Sequence, residues 1–124
     1  MRDAVLIVAR PSERIDQYRA ELVSEGFRVA TMTDVQSGLR CLGALQPAVC
    51  VIDVCSLAEA GWQLCEAAGT IRTRRPLMLI LADRSRESPA SLRARARRLG
   101  AVVYARPLTP ADLAACVATL VSFR

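Results

Sequence analysis

The chain has 124 residues and a formal net charge of +5 at pH 7, from seventeen basic and twelve acidic residues. This length fits one compact domain, which we expect to span residues 1–124. All seventeen basic residues are arginine, and histidine and lysine are absent. These absences exclude a Ser-His-Asp triad, a histidine zinc site, a P-loop lysine and Schiff-base chemistry.

The chain is 52% hydrophobic, which predicts a substantial buried core. Its apolar runs, such as residues 77–82, are far shorter than the roughly 20 residues that a membrane span needs. The five cysteines are an odd number without a CxxC pair, so we expect free thiols and no zinc site. Free thiols fit a reducing compartment, and we expect a cytoplasmic protein.

Five short apolar runs alternate with five segments of helical periodicity along the chain. The runs cover residues 4–9, 27–30, 48–52, 77–82 and 101–105, and the helical segments cover residues 12–25, 34–45, 62–71, 89–99 and 109–121. Runs that are apolar at successive positions are typical of strands buried on both faces. Since parallel crossovers are right-handed, this (βα)₅ alternation predicts an α/β fold, a doubly wound parallel sheet with helices on both faces.

In an open parallel sheet, ligands bind at the carboxyl ends of the strands. In this chain those ends are residues 9–10, 53–55, 81–83 and 105–107. Asp53 is the acidic residue that directly follows the third run, and Cys55 lies two residues beyond it. No glycine-rich loop follows a strand, which disfavours a dinucleotide site.

Several segments carry a resemblance to a known family. The third strand with its terminal Asp53, the eight-residue step from Asp53 to Gly61, the segment Trp62–Cys65 and the turn Arg106–Pro107 together resemble a response-regulator receiver domain. The resemblance covers the whole chain. It implies the flavodoxin-like receiver fold with strand order 2-1-3-4-5, and a role in two-component (phosphorelay) signal transduction. In that family a histidine kinase supplies a phosphoryl group to the aspartate after strand 3, with Mg²⁺ as cofactor.

By this resemblance, Asp53 is equivalent to the phospho-acceptor, but its partners differ from the family pattern. The acidic pair expected after strand 1 is Ala9 and Arg10, and the hydroxyl residue expected after strand 4 is Leu81. Arg106 replaces the lysine that precedes the proline.

Tyr104 is the candidate for the family's switch aromatic residue, with Val103 as the alternative, because the chain is one residue shorter between Gly100 and Arg106. The receiver pocket carries a charge of about −2 before Mg²⁺ binds, whereas Asp53 with two arginines gives about +1. We therefore expect that Mg²⁺ binding is lost. We also expect an ion pair of Asp53 with Arg10, Arg106 or both, which would fix one conformation without phosphate.

The leading interpretation is an atypical, degenerate receiver (a pseudo-receiver) without enzymatic activity, which acts through contacts with a partner protein or as a homodimer. The expected surface comprises the fourth helix, the fifth strand and the fifth helix. Its members are Arg93, Arg95, Arg97 and Arg98, predicted to point outward, and the apolar Leu113, Val117 and Val121.

Three alternatives remain open. A nucleic-acid-binding or transcription-regulating module would use the arginine-rich fourth helix and residues 72–75. A conventional receiver would be phosphorylated on Asp53. A redox sensor would use Cys55, with nearby arginines lowering the pKa of its thiol.

Overall fold

The computed structural model describes residues 3–71, 75–83, 87–105 and 107–122. Its five strands form one sheet in the order β2-β1-β3-β4-β5, and every neighbouring pair is parallel. The strands are β1 Ala4–Val8, β2 Arg28–Met32, β3 Val49–Asp53, β4 Leu77–Leu81 and β5 Ala101–Tyr104. The predicted α/β class, the doubly wound parallel sheet and its strand order are therefore confirmed.

Six helices occur among the described residues. They are α1 Glu13–Ser24, α2 Val35–Leu45, α3 Val54–Leu57, α4 Glu59–Ala68, α5 Pro89–Arg98 and α6 Pro110–Ser122. Two helices begin with a side-chain cap: Asp34 Oδ1 accepts the Ser37 N–H at 2.8 Å, and Thr109 Oγ1 accepts the Asp112 N–H at 3.1 Å. None of these helices is long and apolar enough to cross a membrane.

The third predicted helix was placed too late in the chain. It begins at Glu59 rather than Trp62, and the one-turn helix α3 precedes it. The two are separated by Ala58, whose φ of 53° interrupts the helical backbone. Small residues and Gly61 mask the helical period here, because glycine is a poor helix former and Ala58 contributes no apolar signal.

The sheet separates two hydrophobic cores, because successive residues of a strand point to opposite faces. One core, between the sheet and helices α1 and α6, contains Val5, Ile7, Val51, Leu79, Tyr18, Leu22, Leu113 and Val117. The other, beneath α2, α4 and α5, contains Leu6, Val8, Ile52, Ile80, Leu42, Trp62, Leu64 and Leu92. Two rigid faces thus hold the strands in register, and their carboxyl ends meet at one edge.

Candidate functional site

Asp53 ends β3 at the middle of the sheet, where the carboxyl ends of β1 and β4 lie on either side. It pairs in register with Leu81, the last residue of β4. Asp53 is only 5% exposed and is the only buried charged residue in the described part of the chain. A buried carboxylate needs hydrogen-bond donors or a cation, so its contacts indicate what the site does.

Both carboxylate oxygens of Asp53 have a protein partner. Oδ1 accepts the backbone N–H of Cys55 at 3.0 Å, which makes Asp53 the N-cap of α3. Oδ2 lies 4.0 Å from Nη2 of Arg14, at the outer limit of an ion pair. The Arg14 guanidinium also lies 5.6 Å from the centre of the Tyr18 ring, so Arg14 bridges α1 and the end of β3.

The prediction of an ion pair between Arg10 and Asp53 is wrong. Arg10 instead binds Ser56 twice: its backbone N–H donates to Ser56 Oγ at 3.2 Å and its Nε donates to the Ser56 carbonyl at 3.1 Å. Ser56 Oγ in turn donates to the Asp53 carbonyl at 3.3 Å. Arg10 leaves β1 directed along the surface and remains exposed, so it joins the loop after β1 to α3 and does not neutralise the carboxylate.

Arg14 is the cation that sequence reasoning missed. It occupies the first turn of α1, just after the cap Ser12. The available signal was positional: α1 starts at the same sheet edge at which β3 ends, so a long side chain in its first turn can reach Asp53. Two other predictions concern residues outside the described ranges: Arg106 at the site, and residues 72–74 of the basic segment 72–75, of which Arg75 is described and exposed.

Ala9 and Leu81 take the expected positions at this edge, and both are buried, with exposures of 3% and 4%. Tyr104 pairs in register with Leu81 and packs against the core beneath α1 and α6, whereas Val103 packs against the opposite core. Leu81 has no side-chain polar atom, so it cannot donate a hydrogen bond to an oxyanion at Asp53.

The residues at this edge do not fit Mg²⁺. This cation requires hard oxygen ligands in near-octahedral geometry and usually takes more than one carboxylate. Ala9 provides no ligand, the Arg10 side chain is cationic, and Asp53 Oδ1 is already used in the helix cap. Within the ranges that the structure describes, no three Asp, Glu or Cys side chains are grouped to hold a metal ion.

Cys55 does not have the lowered pKa that the redox alternative required. Burial and, after it, the neighbouring Asp53 carboxylate raise the pKa of the thiol to about 11, and the opposing effect of Arg14 is smaller. Its Sγ lies 3.8 Å from the carbonyl oxygen of Leu81. The thiol is therefore largely protonated at neutral pH, which removes the basis for a reactive cysteine.

A cavity of about 370 Å³ opens beside the site, between α4, α5 and the end of β4. Arg95 on α5 contacts two residues of α4 beside this cavity. Its guanidinium lies 4.4 Å from the centre of the Trp62 ring, and its Nη2 donates to Glu59 Oε2 at 2.6 Å. Nη1 lies 3.7 Å from Glu87 Oε1. The prediction that Arg95 points freely outward is therefore wrong, because it joins α5 to α4. Cys55 also lines this cavity.

Two of the three apolar residues named for the docking surface belong to the core. Leu113 and Val117 are each fully buried in the core beneath α6, since residues four apart on a helix share the face that meets the sheet. Val121 is half-buried. Val102 on β5 is 40% exposed and is the apolar residue that this edge presents to solvent.

Comparison with protein-family models and with curated proteins gives no match. The fold does have similar solved structures. A chemotaxis response regulator of Vibrio cholerae is 19% identical, with a TM-score of 0.81, and the alignment covers 97% of this chain and 99% of that one. A putative response regulator from Chloroflexus aurantiacus is 18% identical, with a TM-score of 0.83 and coverage of 98% and 99%. The signal receiver domain of a histidine kinase from Syntrophus aciditrophicus is 20% identical, with a TM-score of 0.81 and coverage of 98% and 92%. The chain therefore has the fold of a response-regulator receiver domain.

Proposed function

We propose that this chain is a receiver-like module of bacterial two-component signalling that works without phosphorylation of Asp53. The observation that carries the proposal is the occupied state of the carboxylate: Oδ1 caps α3 through the Cys55 N–H, and Oδ2 faces Arg14. One carboxylate oxygen is thus engaged in the helix cap, and an arginine faces the other. The module is non-catalytic in this proposal.

The energetics of phosphoryl transfer support the same proposal. The transferred group carries spread negative charge that metal ions and cations must neutralise in the transition state. Among the described residues, the cation within 4.0 Å of the Asp53 carboxylate is Arg14, and the neighbouring strand end is the apolar Leu81. A phosphorylated Asp53 would therefore place about two negative charges in a nearly buried position with too few donors.

Signalling would then depend on contacts with a partner protein or a second copy. We propose that this contact involves the β5 and α6 side of the sheet, where Val102 is exposed and Val121 is half-buried. A histidine kinase is a candidate partner, since one similar structure is the receiver domain of such a kinase. The cytoplasmic location stays a prediction.

The decisive experiment measures whether Asp53 accepts a phosphoryl group. The protein is incubated with acetyl phosphate and Mg²⁺ and its intact mass is recorded, with Asp53→Asn as the matched control and a conventional receiver domain treated in parallel. We expect no mass gain, and no change in the fluorescence of Trp62, the only tryptophan. A stoichiometric gain that Asp53→Asn abolishes would refute the proposal and support the conventional alternative.

A second pair of variants tests the structural role of the carboxylate. Asp53→Asn keeps an oxygen acceptor for the Cys55 N–H, whereas Asp53→Ala removes it. We expect the Tm to fall more in Asp53→Ala than in Asp53→Asn, because the cap of α3 is lost. Equal Tm values for the two variants would show that the cap does not hold this segment.

A further inference from the structure

The exposed face of α5 consists of arginines separated by small residues. At about 100° per residue, the exposed positions cover an arc of about 160° around the helix axis. They are Ala90, Ser91, Arg93, Ala94, Arg97 and Arg98, and we call them the arginine face of α5. Arg95 lies outside this arc, against Trp62. The helix therefore divides its arginines into one that packs and three that face solvent.

The three arginines of this face lack acidic partners within the described residues. All twelve Asp and Glu residues of the chain belong to the described residues, and among these none comes within 4.0 Å of Arg93, Arg97 or Arg98. Arg19 on α1 is also unpaired at this distance among the described residues, but Asp16 lies three residues before it on the same helix face, where opposite charges attract. The charge of the α5 face is thus not balanced by its surroundings.

Local helix energetics explain only part of this arrangement. Arg97 and Arg98 lie in the last turn of α5, where the helix dipole favours cations. Arg93 lies before that turn and one turn from Arg97, so the two like charges disfavour each other. A bound anion would remove this repulsion.

Charge and composition indicate which class of molecule can bind the arginine face of α5. In a symmetric dimer through α5 the same face meets itself, so arginines would oppose arginines. Protein partners are usually anchored by a buried aromatic or large aliphatic side chain, and the arginine face offers only Ala90 and Ala94 as apolar residues. Closely spaced phosphates, in contrast, can each accept two hydrogen bonds from an arginine guanidinium, and this binding needs no apolar anchor.

We propose that the arginine face of α5 binds the phosphate backbone of nucleic acid without sequence preference. The proposal is independent of the state of Asp53, because no residue of the face contacts the site. Arg93 and Arg97 are separated by about 6 Å along the helix axis, so both can reach phosphates of one duplex. Three neutralised phosphates predict a slope of about −2.7 for log affinity against log salt, or about a 40-fold loss between roughly 50 and 200 mM.

The test is fluorescence anisotropy with a labelled duplex of random sequence at these two salt concentrations. The triple variant Arg93→Gln, Arg97→Gln, Arg98→Gln should lose most of the binding and nearly all of this salt slope. The matched control replaces three exposed arginines of α1, β2 and α2 by glutamine, and therefore lowers the net charge equally. Its members are Arg19, Arg28 and Arg40.

The control should bind the duplex within about twofold of the unmodified protein at each salt concentration. Equal losses in the two triple variants would overturn the proposal, because binding would then follow net charge alone. Polyglutamate that displaces the duplex at equal charge concentration would also overturn it, in favour of an acidic protein partner. Thermal melts of both variants establish that each is folded. The mass measurement on Asp53 is unaffected by either result.

Discussion

Gly61 lies in α4, eight residues after Asp53, and its lack of a side chain is required by packing against α3 and the end of β3. A Cβ at this position would lie 2.9 Å from Val54 Cγ1 and 3.2 Å from Ile52 Cγ2. Both neighbours are buried and β-branched, so neither can rotate away. We therefore predict that Gly61→Ala destabilises the protein, although alanine is the better helix former.

Gly43 in α2 provides the matched control, because a Cβ there would meet nothing within 4 Å. Both substitutions gain about 1 kcal/mol of helix propensity. Gly61→Ala additionally incurs an overpacking cost of about 1–3 kcal/mol. The two variants should therefore differ by about 2 kcal/mol, or about 8 °C in Tm for a domain of this length.

Thermal unfolding followed by circular dichroism measures this difference directly. We expect the Tm of Gly43→Ala to rise by about 4 °C and that of Gly61→Ala to fall by a similar amount. If both variants rise together, the close approach of α4 to the end of β3 is not a constraint, and the spacing between Asp53 and Gly61 has another cause.

Three further predictions concern the surroundings of the site. Arg95→Ala should lower the free energy of unfolding by about 1 kcal/mol, because the cation–π contact with Trp62 is lost. Arg97→Ala, the control, should change this free energy by less than about 0.5 kcal/mol. Equal effects of the two substitutions in urea unfolding would contradict a stabilising contact between Arg95 and Trp62. Alkylation of Cys55 should be slow at neutral pH and accelerate until the pH approaches about 11, and rapid labelling at pH 7 would contradict the raised pKa. Ala58→Gly should raise the Tm, since a φ of 53° is strained for alanine and free for glycine, and an unchanged Tm would show that no strain is stored there.

The fold could be predicted because its determinants are local in sequence. Each strand is an apolar run, and each predicted helix has a period and, at Asp34 and Thr109, a cap whose hydrogen bond the structure contains. The rules for parallel crossovers and the resemblance then give the strand order. The helix after Asp53 was misplaced because Gly61 and Ala58 carry no periodic signal.

The side-chain contacts of the site could not be predicted, because they depend on direction rather than position. Arg10 and Arg14 both lie near the end of β1, and the prediction from sequence named Arg10, Arg106 or both as the partner of Asp53, but not Arg14. In the structure, the loop after β1 turns Arg10 toward Ser56, and the first turn of α1 directs Arg14 to Asp53. Arg95 was misassigned for the same reason, since its helical face adjoins a neighbouring helix rather than solvent.

The substitutions at the sheet edge follow one physical pattern. Ala9 and Leu81 belong to the core beneath α1 and α6, together with Leu108 from the loop after β5. The resemblance implies polar side chains at these two positions, where they would bind a metal ion or the phosphoryl group. In this chain, Ala9 and Leu81 instead extend the apolar core toward the carboxyl ends of the strands. Such a change adds buried apolar surface, which stabilises the fold, while it removes the hydration that a phosphorylated aspartate would need. The buried carboxylate of Asp53 then requires a hydrogen-bond donor and a cation from the protein itself. The Cys55 N–H and Arg14 supply them.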